Sequence, residues 1–319
     1  MPGDEDHTSL SRGAAVMTAD RRNTAASVHQ RLLNKARESS RPFNEILQHY
    51  AIERFIYRLS RSHHAEKFIL KGALMFAAWS GLASRPTMDI DLLGRLGNSL
   101  DGIADAMREA CAVEVEADGM IFNGETVTTA RITEEAEYEG VRARLQGALG
   151  NACVHIQVDI GFGDVIVPGP TEVIYPSLLG LPAPVLKGYS MESAIAEKFH
   201  AMVKLGVLNS RMKDFYDIWV LSQSFDFNGE QLSQAIRRTF ENRRTPMHTA
   251  PTVFEPSFAQ ENGKQVQWHA FIRKAHLTSA PEDFAKVAAA IKAFLEPVVA
   301  ALADGRAFRE EWKALGPWR

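Results

Sequence analysis

Two aspartates separated by one residue, Asp89 and Asp91, are the clearest candidates for chemistry in this sequence. Side chains on a β-strand alternate between its two faces, so a strand here places both carboxylates on one face, about 6.6 Å apart along the strand. The apolar residues around them then face the core: Met88, Ile90 and Leu92. Carboxylate oxygens are preferred ligands of Mg²⁺, and the pair therefore predicts a divalent-metal site.

A glycine turn precedes the two aspartates. The segment Phe68-Ile-Leu-Lys71 predicts a short strand, and the apolar run that ends at Trp79 predicts a helix. Gly72 and Ala73 lie between them and predict a tight turn. The backbone amides at such a helix start attract anions, so we expect a phosphate group to bind beside the metal.

A third carboxylate falls on another polar strand face. Apolar and polar residues alternate over 113–160, which predicts an antiparallel meander. Its expected strands are Val113–Glu116, Met120–Phe122, Thr126–Ile132, Val141–Leu145 and Val154–Ile160. In the last of them Asp159 shares its face with His155 and Gln157, opposite the apolar residues. Asp159 is therefore a candidate to join the first two aspartates.

The helix predicted over residues 190–205 carries a lysine at the border of its apolar stripe. Lys198 lies between the small residues Ala194 and Ala201, and such a lysine can reach a phosphate as a point charge. A lysine that covers apolar surface with its stem is the alternative.

The next helix, predicted over residues 212–223, starts its inner face with two acids. Asp214 and Asp217 share that face with Ile218 and Leu221, at i, i+3, i+4 and i+7 spacing. A buried carboxylate is unfavourable unless it is paired. Interaction with the helix dipole would explain Asp214 better than Asp217, so we expect the two acids to pair with Lys198 or Arg211.

Length and composition indicate a globular protein of one or two domains. The 319 residues are 45% hydrophobic and 24% charged, and the net charge of −3 gives no overall signal for nucleic acid. Cys111 and Cys153 are too few for a disulfide framework. No apolar run has the length of a membrane span, and the N-terminus lacks the pattern of a signal peptide. We therefore expect a cytoplasmic protein without membrane contact.

We divide the chain into three parts. Residues 1–22 are polar and unpatterned, which predicts a disordered tail, with Met17 as an alternative start. Residues 23–180 are expected to form N-terminal helices and a mixed sheet, and residues 181–319 a mostly helical domain that completes the active site. Within the latter, the prolines and glycine of 244–280 predict a long irregular segment.

Other motifs are weaker. The P-loop, the dinucleotide-binding glycine pattern and the zinc-protease helix motif are missing from the sequence. The histidines His63, His64, His155 and His200 have no partner at zinc-ligand spacing, and we interpret them as surface or core residues. The doublets Arg237-Arg238 and Arg243-Arg244 predict either contacts with a phosphate backbone or a solvated helix face.

Five motifs in order make the chain resemble the AbiEii/AbiGii-type nucleotidyltransferase toxins of bacterial toxin–antitoxin and abortive-infection systems. The resemblance runs from about Ala25 to about Ser222. The motifs are Leu70-Lys-Gly-Ala73, Arg85-Pro-Thr-Met-Asp-Ile-Asp91, Gln157-Val-Asp-Ile-Gly-Phe-Gly-Asp164, Ala196-Glu-Lys198 and Arg211-Met-Lys-Asp-Phe-Tyr-Asp217. It implies an α/β (α+β) nucleotidyltransferase fold, in which helices flank a small mixed sheet and the C-terminal part is mostly helical.

The resemblance also implies an activity and a set of site residues. The family transfers a nucleoside monophosphate from an NTP to an acceptor, with Mg²⁺, and releases pyrophosphate. By position, Asp89 and Asp91 bind the metal, and Asp159 is a third ligand or the catalytic base. Lys198 contacts the triphosphate and Asp214 belongs to the last motif. Nucleotide or phosphate contacts are further implied for Lys71, Gly72, Ala73 and Lys213.

The implied acceptor is RNA, namely the 3′ end of tRNA, and the implied partner is an antitoxin, a winged-helix regulator from a neighbouring gene. Two alternatives remain: transfer to a small molecule, and a non-catalytic binding protein with the same fold. Ala73 stands where many relatives have a second glycine or a serine, which is the one feature in favour of the non-catalytic alternative.

Overall fold

The computed structural model describes residues 7–81, 87–132, 140–247 and 250–319, and for residues 7–22 it describes only the backbone. The chain divides into two compact units, Met1–Phe162 with Glu172–Lys187 and Gly163–Thr171 with Gly188–Arg319. Our boundary at residue 180 stays a prediction. So does the tail expected over residues 1–22, where residues 1–6 lie outside the described part and helix α1 begins at His7.

The first unit is a mixed sheet with helices, as expected. Its helices are α1 (His7–Ser39), α2 (Phe43–Arg61), α3 (Leu74–Ser80) and α4 (Leu100–Ala112). Its strands are β1 (Phe68–Lys71), β2 (Asp89–Gly94), β3 (Met120–Ile132), β4 (Gly140–Leu149), β5 (Ala152–Phe162), β6 (Thr171–Ile174) and β7 (Val185–Gly188). In the part of the chain described, these strands form one sheet in the order β3-β4-β5-β2-β1-β7-β6.

Strand β2 is central and carries the alternation that the sequence predicts. Ile90 and Leu92 are fully buried, while Asp89 and Asp91 are partly exposed on the opposite face. The prediction for Met88 is wrong: its side chain is 54% exposed because β2 begins only at Asp89. Strand β2 pairs antiparallel with β1 and parallel with β5.

The meander contains three strands instead of the five that we predicted. Residues 113–119 form no strand, and within them Asp118 is buried in an ion pair with Arg58 of α2. The two segments expected on either side of Asn123 are one long strand, β3, with an irregularity in its register between Asn123 and Thr128. Strands β3, β4 and β5 pair antiparallel in sequence order.

Helix α2 contacts the backbone next to the carboxylates of β2 and β5. The side-chain amide of Gln48 donates to the carbonyl oxygen of Met88 at 3.3 Å and to that of His155 at 2.9 Å. These carbonyls precede the carboxylates of β2 and β5, and Gln48 is buried. A buried amide that is bonded to two backbone carbonyls is costly to displace. We therefore infer that α2 holds the backbone at Met88 and at His155 in register.

The second unit is mostly helical. It contains α5 (Met191–Leu205), α6 (Met212–Ser224), α7 (Gly229–Asn242), α8 (Pro256–Gln260), α9 (Asn262–Lys274) and α10 (Phe284–Ala303). Two short strands, β8 (Phe227–Asn228) and β9 (Glu311–Trp312), form a separate pair. Among the residues that the structure describes, no helix combines the length and apolarity needed to cross a membrane.

The segment 244–280 corrects our prediction of an irregular region, because α8 and α9 lie within it. Along α9 only Lys264 and Trp268 are buried, so its sequence lacks an apolar stripe. The Lys264 ammonium donates to the carbonyl oxygens of Val207 and Asn209 at 2.7 and 2.8 Å. Specific contacts of this kind, and not amphipathic periodicity, stabilise the helix.

Candidate active site

The polar face of the sheet carries a row of charged residues across four strands. Lys71 of β1 is the register partner of Asp91 in β2, Asp91 is the partner of Asp159 in β5, and Asp159 is the partner of Arg142 in β4. Neighbouring strands lie about 4.8 Å apart, so the carboxylates of Asp91 and Asp159 are close to each other. Asp89 lies one row away, opposite Gln157.

Gly72 makes room for the carboxylate of Asp91. Its φ is +70°, a left-handed conformation that glycine adopts without strain. A β-carbon on this residue would lie 2.0 Å from Oδ2 of Asp91, well inside van der Waals contact. The turn predicted at this position is therefore present, and its glycine is required both for the backbone angle and for the space.

Ala73 and Lys71 flank this glycine. Ala73 has ordinary helical angles and is 5% exposed, so its methyl group is packed inside the protein. Lys71 ends β1 and is partly buried. In the turn after Gly72, the amide of Met75 donates to the carbonyl oxygen of Gly72, and the amide of Phe76 donates to the carbonyl oxygen of Ala73. The amides of residues 72–74 precede these bonds and are the candidates for phosphate contacts.

Asp159 is held by an arginine that the sequence did not single out. Nε of Arg142 donates to Oδ1 at 2.7 Å and Nη2 donates to Oδ2 at 2.8 Å. Gln157 approaches Oδ2 at 3.5 Å. The alternation of β4 predicted which face Arg142 occupies, but only the pairing of β4 with β5 showed that this face meets Asp159.

Lys198 in the second unit has the acidic partners that its helix face predicted. Its ammonium lies 2.8 Å from Asp217 and 3.2 Å from Asp214. Both carboxylates are almost completely buried, and Arg211 contacts Asp214 at 2.8 Å from the exposed side. Lys213 is exposed. The cluster is thus a partly buried lysine between two buried acids, with its charges paired.

The arginine doublets separate in the structure. Arg243 is engaged, since Nη2 contacts Asp164 at 2.9 Å and Glu197 at 3.6 Å. Arg237 and Arg244 instead line an open cavity of about 530 Å³ in the second unit. Arg237 and Arg244 are exposed, so both interpretations stay open for them. Arg243 instead connects the segment after β5 to the end of α7.

His63 and His64, which follow helix α2, share an acidic partner. His63 and His64 contact the same oxygen of Glu109, at 2.9 and 2.8 Å, a residue too distant in sequence for spacing to show. The three groups have the donor types of a metal site. However, Lys67 lies 3.3 Å from Nδ1 of His64. A lysine donates there, so Nε2 carries the proton that Glu109 accepts, and a hydrogen-bond network accounts for the group.

The carboxylates of β2 fit a magnesium ion. Mg²⁺ is held by one or two carboxylates together with water and substrate phosphates, and Asp89 and Asp91 supply such oxygens on one partly exposed face. Gly72 leaves space beside Oδ2 of Asp91, where a side chain would collide with it. The lead-in motif residues Arg85 and Pro86 lie outside the described residues.

Two solved structures from Helicobacter pylori are similar over most of the chain. One, described as a candidate nucleotidyltransferase, is 12% identical with a TM-score of 0.46, and the match covers 82% of this chain and 96% of the other. The second, JHP933, is 11% identical with a TM-score of 0.43, and the match covers 82% and 94%. No curated protein matches.

A family model described as nucleotidyl transferase AbiEii toxin, type IV TA system, matches residues 54–290, more than half of the chain. The match spans Gly72, the aspartates of β2, Asp159 and the Lys198 cluster. The chain therefore belongs to the family of AbiEii nucleotidyl transferase toxins.

Proposed function

We propose that this nucleotidyltransferase uses Mg²⁺ to transfer a nucleoside monophosphate from an NTP to RNA, at the 3′ end of tRNA. The observation that carries the proposal is the placement of Asp91 beside Gly72 on one side and Asp159 on the other. An oxygen-ligand site next to a glycine turn suits a metal-bound triphosphate.

The proposed reaction joins the acceptor hydroxyl oxygen to the α-phosphorus and breaks the bond from that phosphorus to its bridging oxygen, so pyrophosphate leaves. Asp89 and Asp91 would hold the ion, and Mg²⁺ bound there would neutralise charge on the phosphate oxygens. The backbone at Gly72 and Ala73 binds the triphosphate. Asp159 is either a third ligand or the base that accepts the hydroxyl proton.

Lys198 is proposed to contact the triphosphate as a point charge and to stabilise the departing pyrophosphate. This role is consistent with the fixed position of the Lys198 ammonium, which two buried acids hold at 2.8 and 3.2 Å. Asp214 and Asp217 then act by positioning the lysine. Lys213 is exposed and is proposed to make a peripheral phosphate contact.

The RNA acceptor and the biological role are inferred from the family. Type IV toxin–antitoxin membership implies an antitoxin partner, which we propose is a winged-helix regulator from a neighbouring gene. A toxin that modifies tRNA would act in phage defence and in the cytoplasm, where NTP and tRNA are present. Arg237 and Arg244 at the cavity of the second unit offer two cations for an RNA phosphate.

The test is incorporation of label from each α-labelled NTP in the presence of Mg²⁺ and total RNA. We expect a labelled tRNA band with the wild-type chain and none with Asp89→Asn or Asp91→Asn. Asp105→Asn removes an exposed carboxylate from the same unit and should keep wild-type incorporation. Incorporation by either β2 variant at the wild-type level would refute the assignment, and label in the small-molecule fraction alone would refute the RNA acceptor.

A further inference from the structure

The contact between Arg142 and Asp159 has a role beyond holding two strands together. Both oxygens of the carboxylate are engaged, at 2.7 and 2.8 Å, and both side chains are largely shielded from solvent. A bidentate guanidinium–carboxylate pair is among the stronger polar contacts in proteins and has a fixed geometry. Asp159 is therefore committed to a protein cation.

The backbone fixes this pair. Strands β4 and β5 are paired without interruption from Val141 opposite Ile160 to Leu149 opposite Ala152. The apolar side chains on the other face of both strands are buried, for example Leu145 and Val158. A one-residue slip would move all of them to the polar face, so the register that places Arg142 opposite Asp159 is strongly specified.

The negative charges around Asp159 explain why a cation is needed beside it. Asp89, Asp91 and Asp159 bring three negative charges to adjacent positions of one sheet face. Like charges at such distances repel one another. Two cations of the protein face this group, Lys71 opposite Asp91 and Arg142 on Asp159. A divalent ion at Asp89 and Asp91 would add to their compensation.

We propose that Arg142 is a positioning residue that keeps Asp159 out of the divalent-ion site, so that in the nucleotide-free protein Asp89 and Asp91 alone hold the ion. This inference rests on the proposed function, because it takes the ion site from it. It also chooses between the two roles left open for Asp159. A carboxylate held in this way lies beside the ion site without being a ligand in the nucleotide-free protein.

The experiment measures the affinity of the full nucleotide-free chain for Mn²⁺, by the loss of the free-ion signal in electron paramagnetic resonance. We expect Asp159→Asn to change the dissociation constant by less than threefold. Arg142→Met frees Asp159 for the ion and should tighten binding by threefold or more, and Asp159→Asn added to it should remove that gain. Arg144→Met removes the same charge from the same strand face and should change the affinity by less than threefold.

Two results overturn the inference: a loss of threefold or more in Asp159→Asn alone, and a gain below threefold in Arg142→Met. Circular dichroism checks that each variant folds. If Arg142→Met does not fold, Arg142→Lys replaces it, since lysine keeps the charge but cannot bond both oxygens, and the same threefold criterion applies. A different result refutes the proposed function instead: Mn²⁺ affinity that does not respond to Asp91→Asn.

Discussion

The α-carbon of Gly72 lies so close to the carboxylate of Asp91 that a β-carbon on the glycine would be 2.0 Å from Oδ2. The turn at Gly72 therefore packs directly against the side chain of Asp91, the metal-ligand candidate. The left-handed φ of +70° adds a second reason for glycine at this position. Any side chain here must move the aspartate, so the conformation of the turn determines where the carboxylate points.

Gly72→Ala should abolish nucleotide transfer and weaken Mn²⁺ binding, because the added methyl group displaces Asp91. Gly81→Ala is the control: its φ is +81°, but among the residues that the structure describes nothing lies within 4 Å of a β-carbon placed on it. Both variants should lose about 1–3 kcal/mol of stability from backbone strain. Label incorporation and denaturant titration separate the two effects, and equal activity of the two variants would contradict the packing relationship.

Lys198→Met should destabilise the protein by about 3–5 kcal/mol, because it leaves the buried carboxylates of Asp214 and Asp217 with less charge compensation. Lys292→Met, at an exposed pair with Glu296, should cost less than about 1 kcal/mol. Urea denaturation gives both values.

For the same cluster, we expect the effect of Asp217→Asn on stability to change sign when Lys198 is replaced. Asp217→Asn should destabilise the wild-type chain, in which the acid lies 2.8 Å from the Lys198 ammonium. In the Lys198→Met background it should stabilise, since it removes a buried charge that has lost this partner. Destabilisation by Asp217→Asn in both backgrounds would show that the ion pair is not the dominant interaction.

His49 should make the stability of the protein depend on pH. Burial, with a smaller contribution from Arg41, lowers the pKa of His49 from 6.5 to about 4. Between these values the unfolded chain binds the proton and the folded chain does not, so this contribution to stability is complete above pH 6.5 and is lost as the pH falls toward 4.

The measurement is the free energy of unfolding of wild type and His49→Gln at pH 7 and pH 5. Glutamine does not titrate and can still bond the hydroxyl of Tyr175, which lies 2.9 Å from His49. Wild type should lose about 2 kcal/mol more than the variant between the two pH values. Parallel losses would contradict the lowered pKa.

The two cysteines should differ sharply in reactivity. Burial raises the pKa of Cys111 to about 11, so at pH 8 only about one thiol in a thousand is ionised. Cys153 is exposed. A disulfide reagent should therefore modify one thiol rapidly in the native protein and two after unfolding. Cys153→Ser should remove the rapid phase and Cys111→Ser should keep it; the reverse pattern would refute this assignment.

Periodicity in the sequence was enough to assign the charged candidates to the correct face of their strand or helix. The period of a strand placed Asp89 and Asp91 together, and the period of a helix placed Asp214 and Asp217 on the buried side, where they pair with Lys198 as we expected. Local periodicity encodes burial because side-chain direction follows from backbone geometry alone. The family and the mixed α/β fold could be predicted from the sequence for a related reason: each motif is a short local segment, and the order of the motifs along the chain is typical of the family.

Which of these faces meet is a property of the folded chain and cannot be obtained from periodicity. That β5 lies beside β2, and β4 beside β5, brings Asp91, Asp159 and Arg142 into one row, and no spacing along the chain contains this information. Helix α9 is stabilised by contacts of Lys264 and Trp268 with distant residues, so its sequence reads as irregular. Strand pairing and buried polar contacts join residues far apart in the chain, and their register is set by the packing of the whole sheet, which a single stretch of sequence does not specify.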